Sequence, residues 1–386
     1  VTERARPSVL RDGAQFDAVT SVELFFDLVY VFAVTQLSHL LVTHPSWSVV
    51  AHAGVLLAMV WQVWIYTTWC TNYADPRRPA VRGMLLALVV ASLVLAAGLG
   101  GAFGRRGTLV AGMYAGIQLG RTAYMLWLLR GERLLPVFVR IVPWTTATSV
   151  LVLIGSQQSD HVRAAVWAAA VAVDLAAAAV GFPVPHWGRS TTLDWTIAGG
   201  HFAERCQAFV LIALGESLVV IGTRLSDEHL SAATVAAFLA AVVGSIALWW
   251  VYFDRAADDS SDVIARSSDP GRLARNAFHW IHPVIVGGII AAAAADDLLL
   301  RQPRGHPASS TVWLLLGGPA LFLLGHAMFK AVVWRTVSAP RVVAATVLVA
   351  LVPAGTHLPV IALAWLVAAI VVGVAVADRI LHPPSS

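Results

Sequence analysis

Residues 21–42 read SVELFFDLVYVFAVTQLSHLLV, an apolar run broken near its start by two carboxylates, Glu23 and Asp27. As an α-helix, a run of this length crosses the ~30 Å hydrocarbon core of a bilayer. An unpaired carboxylate in hydrocarbon is costly, so each acid must meet a cation, hydrogen-bond donors, water or a proton inside a helix bundle. The stretch therefore decides two things together: a membrane-spanning helix, and a bundle around it with a polar interior.

The rest of the chain agrees. Hydrophobic residues make up 58% and charged residues 12%, and the mean hydropathy is +0.74; the charged share is about half that of a soluble domain. About twelve apolar stretches are long enough to span: 21–42, 49–70, 81–100, 108–130, 136–155, 162–181, 203–225, 231–253, 276–295, 311–334, 340–355 and 357–380. The eleventh is short and runs into Pro353, so eleven or ten crossings are the alternatives. The expected fold class is all-α, a polytopic transmembrane helix bundle. The N-terminal segment VTERARPSVLRDGAQFDAV is too polar for a cleavable signal. Two cysteines, Cys70 and Cys206, imply neither a disulfide framework nor a thiol metal site.

The net charge of +4 and pI near 9.4 do not point to nucleic acid, because the basic residues follow topology. With twelve spans and a cytoplasmic N-terminus, most of the 26 Lys and Arg fall in or beside cytoplasmic segments. This is the positive-inside pattern, and it puts both termini in the cytoplasm.

Landmarks recur in the same order along the chain. Glu23 and Gln36 in the first span correspond to Glu204 and Glu216 in the seventh; Trp64-Ile65-Tyr66 corresponds to Trp250-Val251-Tyr252. Asp75-Pro76 and Asp269-Pro270 follow, then Gly120-Arg121 against Gly325-His326. The expectation is two six-helix repeats, 1–181 and 203–386, joined by a linker at 182–202. An even number of spans per repeat gives parallel repeats related by an axis along the membrane normal.

Glu23 and Asp27 share one helical face, which Tyr30 continues. Such a pair suits an inner-mouth proton or cation site, or a salt bridge to arginines at the cytoplasmic helix ends. In HFAERCQAFVLIALGES, residues 201–217, His201, Glu204 and Arg205 open the seventh span, and Glu216 lies roughly 16 Å deeper on the stripe of Arg205. Gly215 before Glu216 permits close approach of a neighbouring helix. Arg121 in the fourth span, Asp174 in the sixth and His326 in the tenth are further buried polar groups needing partners. The expected pairings are Glu216 with His326, and Arg121 with Asp27 or Asp174. Asn276, His279 and His282 open the ninth span at i, i+3 and i+6, and with His201 and Glu204 they would converge near the inner face. No compact metal motif is present, so neither a metal nor a cofactor is predicted.

VELFFDLVYVFAVTQLSH and HFAERCQAFVLIALGES resemble the signatures of the bacterial low temperature requirement protein A (LtrA) family, over nearly all of residues 15–380. On the first motif the matching positions are Glu23, Phe25, Phe26, Asp27, Tyr30, Phe32 and Gln36; on the second they are His201, Glu204, Arg205, Gly215, Glu216 and Ser217. The resemblance implies an integral membrane protein linked by name to growth in the cold, with no settled biochemical activity. A fainter likeness joins LFFDLVYVFAVTQL to the first-helix signature of the lysosomal potassium channel family, with Phe26 and Leu28 in place of small residues.

The leading functional expectation is a secondary transporter or permeation protein, coupled to protons through Glu216 and the Glu23/Asp27 pair. The alternatives are an ion channel and an intramembrane lipid- or cofactor-binding enzyme or sensor. A Walker loop, a dinucleotide fingerprint and a nucleophile elbow are all lacking, which disfavours ATP-driven pumping by this chain alone, and an enzyme is the less expected class. Expected partners are membrane lipids and protons or a small solute, and no nucleic acid. The polar network predicted to carry function comprises Glu23, Asp27, Tyr30, Gln36, Arg121, Asp174, His201, Glu204, Arg205, Glu216, Ser217, His279, His282 and His326.

Overall fold

The computed structural model describes residues 9–11, 19–43, 45–192, 197, 199–227, 231–254, 263–264 and 266–381. The basic N-terminal residues Arg4 and Arg6, and residues 255–262 and 265 in the acidic stretch after α8, lie outside them.

Helices α1 (Ser21–Thr43), α2 (Trp47–Tyr73), α3 (Pro79–Gly98), α4 (Gly107–Leu128), α5 (Leu135–Ser156) and α6 (Asp160–Val180) are followed by α7 (Gly199–Asp227) and α8 (Ala232–Phe253). Then come α9 (Pro270–Arg301), α10 (Ser309–Trp334), α11 (Ala339–Ala350) and α12 (Val360–Leu381). Each expected apolar stretch therefore holds a helix, and the bundle is all-α.

Ten of these helices are long and apolar enough to cross a membrane. Two are not: α4, diluted by Gln118, Arg121 and several glycines, and α11, which has 12 residues and ends ahead of the Pro353 turn. Backbone hydrogen bonding explains why helices alone were possible, since lipid offers no partner for an open strand edge.

The chain divides into two compact units. Unit 1 comprises Val1–Ala33, Ala58–Arg205 and Ser267–Arg272. In it α3 packs on α4, α4 on α5 and α5 on α6, as short connections between successive helices favour. Gly155 leaves room for Trp167, whose indole donates to the Val152 carbonyl at 2.8 Å. Arg163, at the start of α6, donates to the carbonyls of Ala102, Gly104, Ser156 and Gln158, so one guanidinium closes two turns.

Unit 2 comprises Val34–Leu57, Cys206–Arg266 and Leu273–Ser386. Its centre is the pair α9 and α10, with α8 against α12 and α11 against α10 and α12. Gly288 and Gly318 face each other where α9 and α10 cross. A Cβ at Gly288 would meet the Phe322 nitrogen at 2.5 Å and the Gly318 oxygen at 2.8 Å. Close backbone approach through small residues is how membrane helices gain packing energy without a hydrophobic drive. The start of α9 is a π-helical turn, Arg275–Ile281, immediately before Pro283; such turns frequently mark functional regions.

Candidate functional site

The N-terminus of α1 builds the principal polar site of unit 1. Thr20 caps the helix: its carbonyl accepts from the amides of Glu23 and Leu24, and Glu23 Oε2 reaches back to the Thr20 amide and hydroxyl, both at 2.9 Å. This is the return arm of a capping box, and it sets the Glu23 rotamer. Residues Val9 and Arg11 hydrogen-bond to the end of α2 through Asp75 and Tyr73, which carries the Arg11 side chain inward. Its Nη2 donates to Glu23 Oε2 at 2.9 Å and its Nε to the Thr71 carbonyl at 2.7 Å.

Arg205, at 0% exposure, is the hub. Its Nε and Nη2 grip Asp27 as a fork at 2.8 and 2.6 Å, while Nη1 reaches Glu23 Oε1 at 3.1 Å and Thr71 Oγ1 at 3.3 Å. The planar guanidinium suits a bidentate carboxylate in a way that lysine cannot reproduce. Trp64 adds an indole N–H to Asp27 Oδ1 at 2.6 Å, and its ring centroid lies 5.7 Å from the guanidinium carbon. His201 closes the cluster, with Nε2 at 2.7 Å from Glu23 Oε1 and Nδ1 at 3.0 Å from Asn72 Nδ2. Arg11 Nη2 also lies 3.2 Å from His201 Nε2. Two arginines thus face two carboxylates beside an imidazole, and every carboxylate oxygen is engaged.

A second group in unit 1 lies on α2, α4 and α6. Arg121 donates to the Val63 carbonyl at 3.1 Å, to Thr67 Oγ1 at 3.2 Å and to Gln118 Oε1, and its guanidinium carbon stands 5.5 Å from the Tyr66 ring centroid. Asp174 accepts from Gln62 Nε2 at 3.0 Å and lies beside Tyr66. Tyr30 is buried against Phe26, with its hydroxyl 3.4 Å from Ser92.

Unit 2 has its own polar groups. Glu216 is 4% exposed and hydrogen-bonds Thr35, with no Lys, Arg or His at ion-pair distance among the described residues. Ser217 meets Ser245 at 3.2 Å. Arg341 donates to His326 Nδ1 at 2.7 Å, to Ser338 Oγ at 2.8 Å and to Asp378 at 2.8 Å. His282 uses both ring nitrogens, Nε2 with the Tyr252 hydroxyl at 2.8 Å and Nδ1 with the Ala277 carbonyl at 3.0 Å. Asp297 holds Arg224 and Arg301.

Several expectations change. Asp27 pairs with Arg205, not with Arg121, because Arg121 satisfies its donors on the carbonyl and side chains of α2 and its own helix. Arg121 forms no ion pair with Asp174 either; the Gln62 amide fills that role. His326 pairs with Arg341 rather than Glu216. Glu204 is exposed and stands apart from the cluster its neighbours form, since one residue of helical rotation turns it outward. Gln36 is half-buried and His279 buried at 2%. His201 and His282 each spend both nitrogens on other partners, so neither offers a lone pair to a metal. Between Arg205 and Glu216 the shared stripe is Ala208, Phe209 and Ile212, an apolar interval and not a polar track.

Sequence reasoning missed Arg11, Trp64, Asn72, Arg341, Asp378 and the Asp296-Asp297 pair as interior groups. The helix-end positions of most of them read as solvated, and only the burial of Arg341 at 2% and Asn72 at 0% corrects this.

A bundle of long apolar helices with ion pairs buried inside it defines a polytopic membrane protein. The profile of the bacterial low temperature requirement A protein (LtrA) family matches residues 18–376, and the chain belongs to that family. It is also 34% identical over 312 residues to an uncharacterized protein of Rhizobium meliloti (strain 1021), covering 80% of this chain and 76% of the relative. No solved structure matches the chain.

Proposed function

We propose that this chain is a secondary transporter or permeation protein in which Glu216 carries the exchangeable charge. What supports this is the contrast between its acids. Glu23 and Asp27 are saturated by Arg11, Arg205, His201 and Trp64, whereas Glu216 is also buried but meets only the Thr35 hydroxyl among the described residues. A carboxyl enclosed without a cation holds a proton or a small cation in one state and exchanges it when its surroundings move. The saturated cluster suits a fixed anchor, because breaking it leaves charges buried alone.

In this reading the protein sits in the inner membrane with both termini cytoplasmic, and α4 and α11 complete twelve spans. The two halves, 1–181 and 203–386, act as parallel repeats about an axis along the membrane normal. Purified protein in proteoliposomes carrying an internal pH dye, challenged with a panel of ions and small solutes, tests the proposal. Solute-dependent proton movement is expected from the wild type, reduced about tenfold or more in Glu216→Gln. Undiminished flux in that variant would remove Glu216 from the mechanism, and no flux for any solute would remove transport.

A further inference from the structure

Ser217, the residue after Glu216, leads to a separate polar spot in unit 2. Its Oγ lies 3.2 Å from Ser245 Oγ on α8 and 3.5 Å from Asp296 Oδ2 on α9. Asp296 and Ser245 line a cavity of about 30 Å³, whose wall also includes Gly244, Leu315 and Pro319. That is room for a water-sized occupant with polar partners.

The wall from α10 is the informative one. Pro319 stands inside the helix and has no N–H, so the Leu315 carbonyl loses its helical donor. Both residues face the cavity that Asp296 borders. The Gly288 and Gly318 crossing presses α9 and α10 together one residue before that proline. The remaining wall, including Ala240, Ala292 and Val371, is apolar.

Charge decides the kind of occupant. Asp297, next in sequence, engages both Arg224 and Arg301, and Asp296 has no cation at ion-pair distance among the described residues. The Asp296 carboxyl group and the Ser245 hydroxyl border the cavity, the Ser217 hydroxyl lies within hydrogen-bond reach of both, and Leu315, whose carbonyl the proline releases, is part of the wall: oxygen donors only. Divalent ions ask for more carboxylates or a retained water shell, and soft metals ask for nitrogen or sulfur. Backbone carbonyls released from helical hydrogen bonding suit Na⁺ in membrane proteins.

We propose that Asp296, Ser245, Ser217 and the Leu315 carbonyl form a binding site for a small monovalent cation of the Na⁺ class. The inference deepens the transport reading, by naming a coupling ion, and rests on that reading for the ion's role though not for its binding. Ser217 then links the ion to its neighbour Glu216 on the same helical turn.

The test is thermal unfolding of the full chain in detergent micelles with NaCl against equal choline chloride, with LiCl and KCl as further arms. Na⁺ raises Tm in a saturable way, as a ligand of the native state must; Li⁺ gives a smaller rise and K⁺ none. Asp296→Asn and Ser245→Ala abolish the Na⁺ increment. Should Asp296→Asn fail to fold, Ser217→Ala serves, with the Na⁺ midpoint moved severalfold to higher concentration. Equal Tm in Na⁺ and choline, an equal rise with K⁺, or an undiminished rise in Asp296→Asn overturns the site. Na⁺ stabilisation without solute flux in proteoliposomes keeps the site and overturns the transport reading; flux without any Na⁺ increment does the reverse.

Discussion

Arg205 concentrates more of the interior chemistry than any other side chain in unit 1, gripping Asp27 with two nitrogens and reaching Glu23 with a third. Removing it leaves Asp27 buried with only the Trp64 indole, and breaking a buried pair in this way costs about 3–5 kcal/mol. Arg205→Met should therefore lower the unfolding midpoint steeply in detergent micelles. The double variant Arg205→Met with Asp27→Leu removes the stranded charge as well and should recover part of the loss. Equal midpoints for the single and double variants would show that Asp27 does not depend on Arg205. Glu23 should tolerate neither change as badly, because Arg11 and His201 still hold it. At this scale the sequence was partly legible: Glu23, Asp27, His201 and Arg205 stood out as ionisable groups in apolar surroundings. Arg11 and Asn72 did not, because a polar residue at a helix end is ordinarily solvated and nothing local distinguishes the exception.

Among elements, the crossing of α9 with α10 is the tightest in unit 2. Gly288→Ala and Gly318→Ala would each drive a Cβ into backbone atoms at 2.5 to 2.8 Å, a clash no rotamer change relieves. Overpacking of this kind costs about 1–3 kcal/mol, read as a lower unfolding midpoint for the purified protein. Gly112→Ala on α4 is the control, since nothing lies within 4 Å of its Cβ position, and that variant should match or slightly exceed the wild type. A result in which all three behave alike would count against the crossing. Helix positions were readable from hydropathy alone, to within a few residues for α1, α8 and α10. The weak elements were α4 and α11. In α4 the polar groups are spent on α2 within the protein, so its interior face dilutes the apolar signal; α11 is cut short by the turn at Pro353.

For the molecule as a whole, the testable quantity is topology. Helix α10 has 26 residues, roughly 39 Å of rise and enough to cross the bilayer, so its two flanking turns belong on opposite sides. Cys70 and Cys206 are both buried and should not react with a membrane-impermeant maleimide in intact cells. Arg304→Cys, in the turn before α10, should then label from outside, and Arg335→Cys, after it, only once the membrane is permeabilised. The reverse pattern would invert the assigned orientation, and labelling of both in intact cells would end the spanning assignment for α10.

What the sequence determined by itself is the solvent and the list of elements. Transfer of an apolar helix into lipid is a sum over some twenty residues, and a sum of that kind survives ignorance of every contact. The family was readable for a related reason, since VELFFDLVYVFAVTQLSH and HFAERCQAFVLIALGES are local strings. The tertiary structure alone decided who pairs with whom: Asp27 with Arg205 and not Arg121, His326 with Arg341 and not Glu216, Glu204 outside and Asp296 at a cavity. Pairing depends on the rotation of each helix about its axis and on which neighbour it faces, and a residue's depth along its own helix constrains neither.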